Sequence, residues 1–141
     1  MKQTINKKYP RFILLDDDVF ALALAEKIIR KYCRHSEIIT FSAPKEAIEY
    51  MEAEDFVAKD TDTVFLTDLH MPETDGFAVL YLMENRFNAM GDRLHAFVMS
   101  SATSPDEIRR ALAFSYVIGF LSKPFSNDKM EQILDCIQYP L

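Results

Sequence analysis

Four short apolar runs in this 141-residue chain each lead into a residue able to do chemistry. Phe12-Ile13-Leu14-Leu15 ends on Asp16 and Asp17, and Val64-Phe65-Leu66-Thr67 ends on Asp68. Ala96-Phe97-Val98-Met99-Ser100 ends on Ser101, and Ile118-Gly119-Phe120-Leu121-Ser122 is followed by Lys123. A short continuous apolar run reads as a strand buried on both faces, which is the habit of parallel sheets. In open parallel sheets the working groups gather at the carboxyl ends of the strands. The chain therefore predicts three carboxylates, a hydroxyl and an amine at one sheet edge, the outline of a metal and phosphoryl-transfer site.

Amphipathic segments separate the runs. After a first strand over residues 11–16, a helix is expected from about Asp18 to Arg34, with Leu22, Ala25, Ile29 and Tyr32 on its inner stripe. Ile38-Ile39-Thr40-Phe41 reads as a second strand. Ser42 is the expected N-cap of the next helix, with Pro44 in its first turn and Ala47, Ile48 and Met51 inward. The acidic stretch Glu52 to Asp62 is expected to be a frayed helix end and a solvated loop. Val64 to Asp68 is the third strand. A third helix starts near Asp75 or Gly76 with Phe77, Leu80 and Phe87 inward, and Asn88 to Asp92 closes it as a loop. Leu94 to Ser100 is the fourth strand. Ser104, Pro105 and Glu107 spell a capping box for a helix that turns Ile108, Ala111 and Leu112 inward. Residues 117–122 are the fifth strand. Ser126 or Asn127 caps the last helix, which buries Met130, Ile133, Leu134 and Ile137.

Five strands alternating with five helices predict an α/β fold: a doubly wound five-stranded parallel sheet between two helical layers. Right-handed crossovers and the chain length favour the flavodoxin-like order 2-1-3-4-5, a three-layer α/β/α arrangement. One domain is expected over residues 11–141, preceded by a tail over 1–10.

Charge and composition exclude other classes. A net charge of −6 is wrong for a nucleic-acid surface, which needs clustered Lys and Arg. No run reaches the roughly 20 apolar residues of a membrane helix, and the first ten residues lack a signal-type apolar core. A cytoplasmic location is expected, with Cys33 and Cys136 reduced and serving as small core residues. His35, His70 and His95 are expected at the surface, Met71, Met83, Met90, Met99 and Met130 in the core or in loops, and Phe114-Ser115-Tyr116 packed ahead of the fifth strand.

Asp16, Asp17 and Asp68 would lie within several Å of one another on adjacent strands. Two like charges about 4 Å apart repel by on the order of 4 kcal/mol at an effective dielectric near 20. One carboxylate must take a proton, or a cation must bind. The all-oxygen set suits Mg²⁺ or Mn²⁺, and no Cys/His cluster offers a zinc site. Lys123 can pair with a carboxylate at rest and with a phosphoryl oxygen after transfer, and Ser101 can donate to another phosphoryl oxygen. An Asp carboxylate can serve as the nucleophile.

Leu14-Leu15-Asp16-Asp17-Asp18, the segment Leu66 to Phe77 with its Asp68-Leu69-His70-Met71-Pro72-Glu73-Thr74-Asp75-Gly76 core, Ser101-Ala102 and Lys123-Pro124-Phe125 resemble the receiver domain of two-component response regulators. The resemblance implies that Asp68 accepts a phosphoryl group from a histidine kinase or a histidine phosphotransfer protein. It implies that Asp17 binds Mg²⁺ directly, Asp16 largely through water, with Asp68 and the His70 backbone carbonyl completing the protein ligands. Ser101 and Phe120 match the family's switch pair. Ala102 and Thr103 follow in the switch loop, and the Lys123-Pro124 peptide is expected to be cis. The gap between Asp17 and Asp68 is longer than usual, and the excess falls in residues 52–62. His70 is unusual at its position.

The expected function is a phosphorylation-dependent switch that alters binding of an output protein the sequence does not name, without direct DNA or membrane binding. Beyond self-phosphorylation and autodephosphorylation at Asp68, no enzyme activity is expected. Both a stand-alone receiver and a piece of a longer regulator fit. The alternative is a haloacid-dehalogenase-type phosphatase with Asp16 as nucleophile. Phe20 stands where that family wants Thr or Val, and no paired acidic motif follows Lys123. A flavin-binding flavodoxin is weaker still, because no phosphate loop follows the first strand.

Overall fold

The computed structural model describes residues 9–102 and 104–139. Most of the expected N-terminal tail, Thr103 and the final Pro140-Leu141 lie outside them. Five strands form one parallel sheet in the order β2-β1-β3-β4-β5: β1 Arg11–Leu15, β2 Ile38–Phe41, β3 Thr63–Asp68, β4 Leu94–Ser100 and β5 Val117–Ser122. The topology agrees with the sequence expectation. The central strands are buried on both faces along their whole length, except at His95 of β4, which is partly buried. The edge strands β2 and β5 are only partly covered, so the rule of two-sided burial holds for the middle of the sheet and relaxes at its margins.

Seven α-helices, not five, occupy the described residues. They are α1 Val19–Tyr32, α2 Pro44–Glu52, α3 Glu54–Ala58, α4 Gly76–Leu82, α5 Glu84–Met90, α6 Pro105–Leu112 and α7 Asn127–Cys136. One core layer packs α1 and α7 against Phe12, Leu14, Val64, Leu66, Phe97 and Leu121. The other packs α2 to α6 against Ile13, Leu15, Phe65, Ala96 and Val98. The alternation of side chains along each strand sends neighbouring residues into opposite layers.

Several local expectations are corrected. Helix α2 is capped by the backbone of Ala43, not by Ser42, and no side chain accepts its first amides. The acidic stretch is not a frayed end: Ala53 turns extended and a separate helix, α3, follows. Phe56 gives α3 a buried face. Arg11, itself buried, donates to the Phe56 carbonyl at 3.2 Å and to Thr63 Oγ1 at 2.8 Å, and its guanidinium lies 4.4 Å from the Phe56 ring centre. Arg86 donates to Ala53 O, and Arg93 to Val57 O and Lys59 O. Three arginines thus satisfy carbonyls of this insert, and two of them neutralise the negative end of the α3 dipole. The pattern of exposed acidic residues masked a single aromatic anchor.

The third expected helix is two helices broken at Met83, and its second part continues through Asn88 to Met90 before a 3-10 turn over Gly91–Arg93. Gly91 ends α5 at φ 59°, a conformation other residues enter at a cost. Leu112 is exposed, not buried, because α6 ends there on the solvent side. Cys33 is buried as expected, whereas Cys136 is exposed at the end of α7. His95 is largely covered and faces Asp62 at 3.5 Å, while His35 and His70 are exposed. Among the described residues no helix is long and apolar enough to cross a membrane.

Candidate functional site

Each chemistry-bearing side chain is delivered by the last residue of a strand or by the loop just beyond it. The Asp16 amide donates to Phe41 O at 3.1 Å, so pairing with β2 continues one residue past β1 and fixes the Asp16 backbone. Asp16 Oδ1 accepts the Asp18 amide at 2.9 Å. Asp18 in turn caps α1 by accepting the amides of Phe20 and Ala21. The Asp triplet is therefore divided in labour: Asp16 is buried, Asp17 exposed, and Asp18 spent on the helix start.

Asp68 closes β3 opposite Met99, and the next amide, Leu69, donates to Met99 O at 3.0 Å. Helix α4 begins against this turn. Its Gly76 amide donates to Leu69 O at 2.8 Å, and a Cβ on Gly76 would fall 2.5 Å from the Asp68 carbonyl oxygen. Only glycine allows the helix to start that close. Lys123 follows β5, its amide donating to Ser100 O at 3.0 Å. The Lys123-Pro124 peptide is cis, as expected, and Phe125 is buried behind it.

These placements bring Asp16, Asp17 and Asp68 together, with one oxygen of each within 4.8 Å of the others. Lys123 Nζ reaches in from the other side, 2.7 Å from Asp16 Oδ2 and 3.3 Å from Asp68 Oδ1. Burial, and then the neighbouring Asp16 charge, push the Asp68 carboxyl up to about 6. Burial pulls the Lys123 ammonium down, but its contacts with Asp16 and Asp68 outweigh this and raise it overall. One cation among three carboxylates leaves negative charge uncompensated. Three carboxylates with one ammonium between them form an all-oxygen donor set with negative charge left over, which fits a hard divalent cation.

Ser101 lies exposed just past β4, and Phe120 is half-buried on β5 against the α2-to-α6 core layer. Ala102, also exposed, donates its amide to Ser100 Oγ at 3.2 Å. Thr103 lies outside the described residues. The His70 side chain is exposed, and its Nε2 meets Glu107 on α6 at 3.3 Å.

The response regulator receiver domain family matches residues 12–135. The chain belongs to that family. The receiver fold recurs in solved structures. A two component response regulator from Cytophaga hutchinsonii is 22% identical with a TM-score of 0.81, over 94% of this chain and 99% of that one. A response regulator receiver protein from Dyadobacter fermentans is 29% identical with a TM-score of 0.76, over 89% and 95%. The chemotaxis protein CheY4 of Vibrio cholerae is 18% identical with a TM-score of 0.73, over 92% and 99%. No significant match is found among curated protein sequences. Membership favours the receiver reading over the phosphatase alternative.

Sequence reasoning missed three supports of this receiver's site. Ser100 is buried, accepts the Ala102 amide on its hydroxyl and the Lys123 amide on its carbonyl, and so ties two loops together. It read as one more residue of a strand. Gly76 was legible as part of the Asp-Gly pair that opens a helix, but its contact with Asp68 is tertiary. Glu107 read as half of a capping box. Ser104 does accept the Glu107 amide at 3.3 Å, but the carboxylate turns to His70.

Proposed function

We propose that this receiver is a phosphorylation-dependent signalling switch with Asp68 as phosphoacceptor. The observation that carries the reading is the meeting of Asp68 with two further carboxylates and the Lys123 ammonium at the carboxyl edge of a parallel sheet. The donor is a phosphohistidine of a histidine kinase or histidine phosphotransfer protein. An Asp68 carboxylate oxygen attacks phosphorus, a P–O bond forms, and the P–N bond to the donor breaks. The electron pair of that bond stays on the donor imidazole nitrogen, and Asp68 becomes an acyl phosphate. Asp16, Asp17, Asp68 and the His70 backbone carbonyl are the residues that would hold Mg²⁺ or Mn²⁺. When bound, the cation neutralises carboxylate and phosphoryl charge. Lys123 swings little: it already touches Asp68 and can keep one hand on Asp16 while pairing with a phosphoryl oxygen.

The acyl phosphate carries about −1.5 to −2 next to Asp16, where the carboxylate carried a single negative charge. Ser101 then moves to donate to a phosphoryl oxygen, and Phe120 fills the space it leaves. The receiver unit spans residues 11–141 with residues 1–10 as a tail, works in the cytoplasm, and reports to an output protein without binding DNA itself. The test is labelling by acetyl phosphate with Mg²⁺, followed by mapping of the modified residue. Asp68 is the expected site, and Asp68→Asn should take no label. Modification of Asp16 instead would return the phosphatase reading.

A further inference from the structure

We propose that Glu107 is a positioning residue for phosphorylation of Asp68, acting through the ring of His70. The inference rests on the receiver reading above. Two oxygens of Glu107 lie 3.3 and 3.4 Å from His70 Nε2, so the carboxylate straddles a single ring nitrogen. Both ends of the contact are anchored. Leu69 and Met71, on either side of His70, are buried, and the Leu69 amide is bonded to β4. Glu107 sits in the first turn of α6, whose start is fixed by the Ser104 hydroxyl and by Pro105. Its side chain is 28% exposed, against 54% for His70. A capping box would have turned that carboxylate back to the Ser104 amide. Among the described residues it is seen only on His70.

The bridge has a particular place in the topology. β3 and β4 are neighbours, with Asp68 opposite Met99. His70 lies in the loop after β3, and Glu107 in the helix after β4. The contact therefore joins the loop that follows Asp68 to the helix that follows its neighbouring strand. With its proton on Nε2, the ring donates to Glu107. A phosphoryl group arriving two residues away brings three strong acceptor oxygens and a larger negative charge. It competes with Glu107 for the same N–H. At rest Glu107 holds the ring on the α6 side. On phosphorylation the ring leaves it for a phosphoryl oxygen, and the first turn of α6 is released from the β3 loop. No change of protonation is needed, because one N–H is exchanged between two acceptors.

The test is a double-mutant cycle on the rate of acetyl phosphate labelling with Mg²⁺. Glu107→Ala frees the ring in advance and should raise the rate about fivefold, the equivalent of one ordinary hydrogen bond. His70→Ala keeps the backbone carbonyl but removes the ring, and in that background Glu107→Ala should change nothing. Glu107→Gln keeps an acceptor oxygen and loses the charge, and should stay within about twofold of the parent protein. Three results overturn the inference: Glu107→Ala labels at the parent rate, its gain survives in His70→Ala, or Glu107→Gln labels as fast as Glu107→Ala. The last would mean simple repulsion of the donor by a surface charge. Failure of the parent protein to label at all would instead remove the receiver reading, and this inference with it.

Discussion

The Asp68 carboxyl carries the conflict of the site in a single residue. Its folded pKa is raised to about 6 from 3.8, first by burial and then by Asp16. The folded protein thus holds this proton more tightly than the unfolded chain does. Stability therefore falls as pH rises from about 4 to about 6, and above that the destabilisation from this group is complete. Lys123 also loses stability as pH rises, but its raised pKa contributes stability up to its ordinary value and loses it only at higher pH. Without divalent cations, Asp68→Asn should melt above the parent protein at pH 7, with the gain shrinking towards pH 4. A constant difference across that range, read by thermal melts, would mean that neither burial nor Asp16 destabilises the ionised carboxyl. Mg²⁺ relieves the same repulsion and should raise the melting temperature of the parent protein. Asp17→Asn should remove most of that rise, and an unchanged Mg²⁺ shift in the variant would place the cation elsewhere.

At the scale of elements, the segment between α2 and β3 depends most on its surroundings. Helix α3 is too short to stand alone and is held by what its neighbours supply: a pocket for Phe56 and guanidinium groups for its carbonyls. Phe56→Ala should cost about 3–5 kcal/mol in denaturant unfolding, the usual loss for a buried Phe. Arg11→Met leaves the Phe56 carbonyl without this donor inside the protein and should cost about 1–3 kcal/mol. Neither should change the Mg²⁺-induced shift, because both lie at the amino end of the strands, away from the acidic cluster. A lost Mg²⁺ response in either variant would show that the insert supports the site after all. The broken helix α4–α5 and the exposed end of α6 follow the same logic: local spacing marked the inward residues Phe77, Leu80 and Phe87 correctly, while the break at Met83 depends on how both helices meet the sheet.

Over the whole molecule, the site and the α6–β5–α7 face are joined by the sheet edge. Ser101 and Lys123 begin the connections that lead into α6 and α7, and Phe120 stands on β5 between them. A phosphoryl mimic such as beryllofluoride with Mg²⁺ should therefore change amide exchange across residues 105–135. Ser101→Ala and Phe120→Ala should blunt that change while leaving Mg²⁺ binding intact. Exchange altered only around Asp68 would mean the signal does not travel this way. Much of this was legible in the sequence. Apolar runs long enough to be buried on both faces dictate a parallel sheet, and their period and spacing dictate alternation with helices. The polar residue ending each run then has nowhere to lie but the carboxyl edge, so Asp16, Asp17, Asp68, Ser101 and Lys123 could be named in advance. Tertiary structure alone decided the rest. Whether Phe56 is buried, whether Cys136 is not, and whether the Glu107 carboxylate turns to its own helix or to His70 are contests between partners distant in the chain. Such contests are settled by which surfaces the fold brings together, and no local pattern records their outcome.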